Sequence, residues 1–466
     1  MTLRAAVLLV LAGLAAGCGE AGRHRAAPAA HRPDGKPTKV TPKPARPRRV
    51  LVTVLDGDLR RHVKGARVTL GRRTAKTNRH GVATLKVRRR TSSLVTVRAR
   101  GYRPATRRLS FGRRPFWRVR IYQPRLQWPV YGATPTRTQA QTHIALRPPF
   151  RTVWATRMGG LIEFPAVVWD GTAYIGNAHG TIRAVSMRFG TVLWRHRTPN
   201  GKMASSPAVV GDSVVYHGMN GAVYVLDRAT GRLRWHYWVG SPIESSPVVR
   251  RGVDYFGAWN GNVYALDLRR RRLRWMRSFG AKITSSAALA GGRLFIGDYG
   301  GRIWALDPRT GATRWVRSVN GRVYGTPAVL HGRVFVPSST GNSLTAFSAT
   351  GRYLWRVGTG SYVYSSPAAW GGRVFFGSYN GVFYGVSARS GRILWEVGTG
   401  GPISGAVTLV GGVAYAGSTW GSIVGADARS GRVLLRFPHG EYVAVSGNGS
   451  TLLLHGYSRL YAVKPK

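Results

Sequence analysis

Residues 305 to 315 read Ala-Leu-Asp-Pro-Arg-Thr-Gly-Ala-Thr-Arg-Trp, and related segments recur about every forty residues. Residues 225 to 235 repeat it closely, whereas residues 265 to 275 replace the glycine with Arg271 and residues 385 to 395 replace the aspartate with Ser387. A period of this length with Gly-rich turns is typical of a β-propeller with one four-stranded blade per repeat. The tryptophans in phase with the period are Trp154, Trp194, Trp235, Trp275, Trp315, Trp355 and Trp395, and Leu435 takes the next step.

One repeat, residues 204 to 236, shows how the strands are divided. The segment Ala-Ser-Ser-Pro at 204 to 207 leads into a short inner strand, and a Gly-Asp turn leads to a second strand. Asn220-Gly221 supplies the positive φ that a two-residue hairpin needs before the third strand. The fourth strand carries Trp235. Strands of three to five residues with period-2 alternation indicate an all-β chain, and no segment has the pattern of a long amphipathic helix.

The number of inner strands predicts eight blades, beginning near residues 165, 207, 247, 287, 327, 367, 407 and 443. Seven outer strands follow them, so the eighth blade lacks one. Residues 151 to 157, around Trp154, lie one repeat before Trp194 and have no inner strands ahead of them. We expect this strand to complete the eighth blade, because closure would leave the ring no unpaired edge.

The repeated segments resemble the tryptophan-docking motif of quinoprotein-type (PQQ-like) propellers, in which each tryptophan packs onto the neighbouring blade. Residues 128 to 132, Trp-Pro-Val-Tyr-Gly, also resemble the lead-in of such propellers. The resemblance implies a lead-in over residues 126 to 149 and an eight-bladed propeller over 150 to 466. It implies the fold and not the function, because one fold hosts many functions.

A second folded unit is predicted ahead of the propeller, at residues 49 to 125. Alternating apolar residues, the segment Gly65-Ala66-Arg67-Val68 and a terminal Gly101-Tyr102 resemble a carboxypeptidase-regulatory or transthyretin-like β-sandwich. The resemblance implies a spacer or adhesion module and no chemistry. The fold class is therefore all-β, an eight-bladed propeller preceded by a small β-sandwich.

Residues 1 to 17 and Cys18 resemble a bacterial lipoprotein signal. One cation, Arg4, precedes an apolar stretch, and Leu14-Ala15-Ala16-Gly17-Cys18 resembles a lipobox. The apolar core is too short to span a bilayer. Cys18 is the only cysteine, so a disulfide framework is excluded and a lipid anchor is predicted at Cys18. An ordinary cleaved secretory signal is the alternative.

Residues 18 to 48 are rich in Pro, Ala, Arg and Lys, which predicts a disordered basic tether. The whole chain has 71 Lys and Arg against 16 Asp and Glu, a formal charge of +55. Residues 19 to 125 hold 31 of the basic and 4 of the acidic residues. This concentration favours contact of the tether with anionic lipid or a wall polymer, although an Arg-rich proteome would explain it equally well. Nucleic acid is disfavoured because no recognition motif accompanies an export signal.

No catalytic residues are predicted. The quinoprotein resemblance implies a calcium or similar ion, carboxylate ligands, an Asp base and usually a vicinal cysteine pair, and this chain has no cysteine pair. Several propeller acids belong to the docking motif, namely Asp227, Asp267, Asp307 and Asp427. We therefore expect no cofactor and no metal, with PQQ as the exception to test. The repeat predicts equivalent positions for Glu163 and Glu441 in blades one and eight, and a cation between them is the alternative to ordinary solvated carboxylates.

A binding face is predicted where the loops before the inner strands meet the hairpins between second and third strands. Exposed aromatic rings mixed with a few polar groups suit a protein or glycan partner. The candidate residues of this face are Trp259, Tyr299, Tyr324, Tyr364, Tyr379, Trp420 and Glu244.

The predicted function is that of a non-catalytic scaffold, lipid-anchored to the outer face of a bacterial membrane. The overall plan is similar to that of the propeller lipoprotein of the outer-membrane β-barrel assembly machinery, from which the added sandwich and basic tether are departures. The alternative is a divergent PQQ-dependent dehydrogenase or a ligand sensor.

Overall fold

A computed structural model describes residues 48 to 87, 92 to 110, 116 to 199 and 201 to 466. The predicted signal, Cys18 and nearly all of the predicted tether lie outside these residues. The first seven strands form two facing sheets, in the orders β4-β1-β7 and β3-β2-β5-β6. Their bounds are β1 Arg48–Asp56, β2 Arg67–Leu70, β3 Arg73–Lys76, β4 Val82–Val87, β5 Ser92–Arg98, β6 Ala105–Ser110 and β7 Phe116–Ile121.

The core of this sandwich follows from the alternation of its strands. In β1, Val50, Val52 and Val54 are buried at every second position, because successive side chains point to opposite faces of a sheet. They pack with Val68, Val97 and other apolar residues of the second sheet. The sandwich predicted from the sequence is confirmed.

Eight blades of four strands each follow a 3-10 helix at Pro124–Leu126, a short strand β8 at Ala140–Gln141 and β9 at Phe150–Arg157. Strand β8 pairs parallel with the inner strand of blade seven and adds a fifth strand to that sheet. Blade one has β10 Val167–Trp169, β11 Thr172–Gly176, β12 Thr181–Ser186 and β13 Val192–Arg197, and blade two has β14 Ala208–Val210, β15 Ser213–His217, β16 Ala222–Asp227 and β17 Leu233–Trp238. Blade three has β18 Val248–Arg250, β19 Val253–Gly257, β20 Asn262–Asp267 and β21 Arg272–Ser278, and blade four has β22 Ala288–Ala290, β23 Arg293–Gly297, β24 Arg302–Leu306 and β25 Thr313–Ser318. Blade five has β26 Ala328–Leu330, β27 Arg333–Ser338, β28 Ser343–Ser348 and β29 Tyr353–Gly358, and blade six has β30 Ala368–Trp370, β31 Arg373–Gly377, β32 Val382–Ser387 and β33 Ile393–Gly398. Blade seven has β34 Thr408–Val410, β35 Val413–Ser418, β36 Ser422–Asp427 and β37 Val433–Phe437, and blade eight has β38 Val445–Asn448, β39 Thr451–His455, β40 Arg459–Pro465 and β9.

The eighth blade is closed by β9, as predicted. Strand β9 pairs antiparallel with β40, from Arg459 opposite Arg157 to Pro465 opposite Phe150. The outer strand of the last blade therefore precedes the first blade in the chain. Closure removes a row of unpaired backbone groups.

The docking tryptophans pack against the neighbouring blade. The indole Nε1 of Trp355 donates to the carbonyl of Ala388 at 3.2 Å, and a Cβ on Gly391 would meet that ring at 2.7 Å. Gly391 has φ +74°, so only glycine allows both the turn and the approach of the ring. The same indole-to-carbonyl contact is made by Trp154, Trp194, Trp275, Trp315 and Trp395.

The lead-in lies inside the ring of inner strands. The carbonyls of Pro129, Pro135, Thr136, Thr138 and Gln139 accept the N–H groups of five inner strands at 2.8 to 2.9 Å, in blades two, four, five, six and seven. Trp128 pairs with Val168 of blade one. We call residues 128 to 141 the axial strap, since they pair in turn with the inner strands around the axis.

Arg137 holds the axial strap in place. Its side chain is fully buried and donates to the carbonyls of Tyr131, Ser246, Pro247 and Ala287. Burial lowers the pKa of this guanidinium to about 10, which leaves it charged at neutral pH. A planar guanidinium with five donors can bond four carbonyls at once, which a lysine ammonium cannot.

The sandwich packs on the face of the propeller formed by the turns between first and second and between third and fourth strands. Asp58 of the sandwich accepts from Gln127 and, at 2.8 Å, from Asn448 of blade eight. Arg103 donates to Asp170 at 2.8 Å and lies over the ring of Trp169. The sandwich and the propeller belong to one compact unit.

Within the described ranges, no helix is long and apolar enough to cross a membrane.

Candidate functional site

A ring of hydroxyl groups links the loops before the inner strands. The N–H of Ser206 donates to Ser246 Oγ at 2.9 Å, and the N–H of Ser246 donates to Ser286 Oγ at 2.8 Å. The same contact continues to Thr326 and then to Ser366. Each step spans forty residues, so the repeated hydroxyl residue forms the floor of the face opposite the sandwich.

Above this floor lies an axial cavity of about 80 Å³. In several blades, the residue two positions before the repeated hydroxyl residue lines this cavity with its side chain. Tyr131 of the axial strap also lines the cavity, and its hydroxyl donates to Ser366 Oγ at 2.9 Å. The lining residues at that repeated position are Glu163, Glu244, Thr284, Tyr324, Tyr364 and Ser404, with Tyr442 from blade eight.

Glu244 is the best-connected polar side chain of this site. Its carboxylate is 8% exposed, and it accepts from the Tyr324 hydroxyl at 2.6 Å and from Trp259 Nε1 at 3.2 Å. Burial raises the pKa of Glu244, and the two hydrogen bonds and Lys282 oppose the rise. Burial also raises the pKa of Glu163, and the charge of Glu244 raises it further.

The aromatic rings form a connected row beside the cavity. Tyr299 lies 6.4 Å from Tyr324, and Tyr324 lies 5.4 Å from Tyr364 in an edge-to-face arrangement. Tyr364 in turn lies 5.5 Å from Tyr379. We call Glu244, Trp259, Tyr299, Tyr324, Tyr364 and Tyr379 the aromatic face.

The structure brings together six of the seven predicted residues. Trp420 stands apart: it is 76% exposed, and no ring contact joins it to the others among the described residues. Trp259 and Tyr379 are 37% and 42% exposed, while Tyr324 and Tyr364 are half-buried.

The predicted equivalence of Glu163 and Glu441 is wrong. Glu163 lines the axial cavity, but the residue of blade eight that does so is Tyr442. Glu163 lies six residues before Trp169, the end of inner strand β10, and Tyr442 lies six residues before Asn448, the end of inner strand β38. Tyr442 therefore holds the position in blade eight that Glu163 holds in blade one. Inner strand β38 has four residues where β10 has three, so alignment by strand starts is off by one residue and the cavity does not place these two carboxylates together.

Three contributors were missed by sequence reasoning. Lys282 Nζ lies 3.3 Å from the centroid of the Trp259 ring and 5.0 Å from that of Tyr299. Arg322 lies over Tyr299 at 5.7 Å, and Tyr362, 44% exposed, extends the row to Tyr379. The repeat could have located them, because Lys282, Arg322 and Tyr362 lie in the same loops, two residues before Thr284, Tyr324 and Tyr364 respectively.

The docking-motif aspartates have the structural role that the sequence predicts. Asp307 accepts from the N–H groups of Arg309 and Thr310 and pairs with Arg314. The backbone and arginine hydrogen bonds lower the pKa of Asp307. Asp227, Asp267 and Asp427 accept in the same way from their own turns.

A quinone with its metal ion does not fit the residues of this cavity. Cofactor pockets commonly measure a few hundred Å³, and this cavity has about 80 Å³. Its acidic lining consists of Glu163 and Glu244, with no aspartate. Among the described residues, no three His, Cys, Asp or Glu side chains are grouped to hold a metal.

Comparison with known proteins supports the propeller. BamB from Moraxella catarrhalis is 18% identical, with 68% of this chain and 98% of that chain covered and a TM-score of 0.58. Quinohemoprotein alcohol dehydrogenase from Comamonas testosteroni is 13% identical, with 72% and 80% covered and a TM-score of 0.63. At these identities the likeness shows the fold alone. No curated protein sequence matches.

The family assignment comes from the repeats themselves. One family model, described as outer membrane protein assembly factor BamB, matches residues 178–275, 259–362 and 341–465. The matched span covers more than half of the chain and includes the loops of the aromatic face. The chain therefore belongs to the PQQ-like repeat family of outer membrane protein assembly factor BamB.

Proposed function

We propose that this protein is a non-catalytic scaffold of the bacterial cell envelope, held by a lipid on Cys18, and that its aromatic face binds a protein partner. The observation that carries the proposal is the aromatic face itself, a row of rings organised around the buried carboxylate of Glu244. The family description, an assembly factor for outer membrane proteins, supports a protein partner.

The rings suit binding because they are fixed before a partner arrives. Hydrogen bonds to Glu244 orient Trp259 and Tyr324, and Lys282 packs over Trp259. Rigid aromatic side chains supply large contact area at low conformational cost, and they are enriched among the residues that dominate interface energies.

The carboxylates of the axial cavity favour a cationic group on that partner. The molecule carries a formal charge of +55, yet Glu163 and Glu244 both face the cavity, and no described residue forms a salt bridge with either. A lysine or arginine side chain that entered the cavity would meet both carboxylates and the tyrosine rings, which attract cations. A neutral glycan would gain only the ring contacts.

The non-catalytic part of the proposal is supported by the small cavity and by its lining. The docking aspartates hold turns, and the acidic lining of the cavity consists of Glu163 and Glu244. Stoichiometric uptake of the quinone by the full chain, with its absorbance, would replace the scaffold with the dehydrogenase alternative.

The test is affinity capture from envelope extracts with the lipidated full chain. Trp259→Ala and Tyr379→Ala should weaken capture of the partner, since both rings are exposed. Tyr379→Ala should keep the melting temperature of the wild type, and the melting temperature of Trp259→Ala separates loss of contact from loss of the bond to Glu244. The matched control is Tyr353→Ala, since Tyr353 is 55% exposed on the outer strand of blade five, away from the aromatic face. The Cys18→Ser variant should remain an unprocessed precursor or be released from the membrane.

Capture that is equal for wild type, Trp259→Ala and Tyr379→Ala would contradict the proposed binding face. Displacement of the partner by soluble glycans, with no protein captured, would replace the protein partner with a glycan. Retention and processing of the Cys18→Ser chain like the wild type would contradict the anchor.

A further inference from the structure

A basic cleft lies between the sandwich and the first and eighth blades, with a volume of about 290 Å³. The sandwich contributes Arg60, Arg118 and Arg120, and the propeller contributes Arg188. The cleft opens on the face to which the sandwich packs, so it is separate from the aromatic face. Clefts between domains are common ligand sites.

Strand geometry directs two of these arginines into the cleft. In β7, Val119 and Ile121 are buried in the sandwich core, so Arg118 and Arg120 project together on the outer face of the sheet. Arg60 adopts φ +58° in the turn after β1, and Arg188 lies in the turn between β12 and β13 with its guanidinium over Phe189.

None of the four guanidiniums makes a salt bridge or a side-chain hydrogen bond with another described residue. Nearby arginines are paired: Arg103 and Arg228 share Asp170. The carboxylate in the cleft lining is Asp56, and both its oxygens are already occupied. They accept from the N–H groups of Asp58 and Leu59, and from Tyr102 and Gln123.

Crowding of cations extends to the rim of the cleft. The pKa of Lys464 is lowered, first by burial and then by the charges of Arg60 and Arg151. Like charges gathered without counter-charges repel one another, and an anionic ligand would relieve that repulsion. A cleft walled by protein also concentrates the positive potential.

We propose that this basic cleft binds phosphate groups of an anionic lipid headgroup or of a phosphodiester polymer. Guanidinium groups match phosphate oxygens with paired hydrogen bonds. Four guanidiniums against one carboxylate leave the cleft with a formal charge of +3, and a phosphate or two successive phosphodiesters, with a charge of about -2, would neutralise most of it. The Tyr122 hydroxyl, also in the lining, adds a neutral donor.

The experiment measures binding of inorganic pyrophosphate by calorimetry to the full chain from residue 18 onward, carrying Cys18→Ser so that no acyl group contributes. The cleft variant is Arg118→Gln with Arg120→Gln. The matched control is Arg67→Gln with Arg98→Gln, two exposed arginines paired across strands on the other sheet of the sandwich. Charge change and tether are identical in the two variants.

We expect saturable binding to the wild type, a loss of affinity of about tenfold or more in the cleft variant and less than about twofold in the control. Equal losses in both variants, or no saturable binding to the wild type, would overturn the proposal. A melting temperature for each variant separates loss of the site from loss of the fold.

Two further arms distinguish the sources of phosphate. If the ligand is a headgroup, the cleft variant binds phosphatidylglycerol vesicles more weakly than the control does. If it is a polymer, the same difference appears with soluble glycerol-phosphate oligomers. Insensitivity in both arms would overturn the assignment to lipid or polymer. The aromatic face takes no part in these measurements, so this proposal and the proposed function can fail separately.

Discussion

At the scale of single residues, neighbouring blades are joined by a tryptophan and a glycine, and an aspartate holds the turn that carries the glycine. The tryptophan of one blade donates to a carbonyl in the next, over a glycine with positive φ. Blade three departs from this pattern because Arg271 replaces the glycine, yet Arg271 still adopts φ +57° and places its guanidinium 5.9 Å from the centroid of Trp235. A contact of cation and ring thus takes the place of close packing.

Trp355 provides the residue-scale prediction. Its ring is 6% exposed, so Trp355→Ala should destabilise the protein by about 3 to 5 kcal/mol through lost burial and the cavity that remains. Chemical denaturation would measure the change. The control is Trp238→Ala, because Trp238 is 59% exposed and its removal should cost no more than about 0.5 kcal/mol. Similar losses at both positions would contradict the docking role.

At the scale of elements, two segments ahead of the first complete blade hold the ring together. The axial strap bonds to the inner strands, and β9 supplies the outer strand of blade eight. Both link parts of the molecule far apart in sequence. Residue 128 contacts blade one, while β9 pairs with the last strand of the chain.

Strand β9 provides the element-scale prediction. Replacing residues 150 to 157 with a Gly-Ser linker of equal length should expose the edge of β40 and lead to aggregation or a large fall in melting temperature. Appending a second copy of residues 150 to 157 after Lys466, through a short turn, should restore much of the stability, since a hairpin from β40 gives the same antiparallel register. An unchanged melting temperature in the linker variant would refute closure by β9.

At the scale of the whole molecule, the propeller separates two surfaces of opposite character. The aromatic face and the two carboxylates of the axial cavity lie on one side, and the sandwich with the basic cleft lies on the other. The contact between sandwich and propeller contains a buried acid, Asp58, which is 1% exposed and receives hydrogen bonds from Gln127 and Asn448. Burial outweighs the bond from Gln127 and raises the pKa of Asp58 from 3.8 to about 7.

Asp58 provides the prediction at this scale. Because its pKa is raised in the folded protein, its contribution to stability is fully present below about pH 4 and is lost as the pH rises towards 7. Over that range wild type should lose up to roughly 4 kcal/mol relative to Asp58→Asn. The measurement is the melting temperature of both chains between pH 4 and pH 8. Parallel pH profiles would contradict the prediction, whatever the absolute cost of the asparagine.

The architecture could be predicted from the sequence alone. The forty-residue period, the Asn-Gly hairpins and the extra strand around Trp154 predict eight closed blades, and alternating apolar residues over 49 to 125 predict the sandwich ahead of them. This is possible because local propensities and alternation repeat in every blade and reinforce one another. The loops of the aromatic face could also be located, since repeat position fixes which loops share a face.

Which of those residues are in contact could be seen only once the blades were assembled. Trp420 lies one residue beyond Thr419, which holds the loop position of Trp259, and it stands apart from the other rings. A one-residue shift in blade eight puts Tyr442 in the place assigned to Glu441. The path of the axial strap, the bonds of Arg137 and the basic cleft were also absent from the sequence pattern. Some of their contacts join residues far apart in the chain, as in the bond from Arg137 to Ala287 over 150 positions, and no local periodicity encodes the distance between groups that only the closed ring brings together.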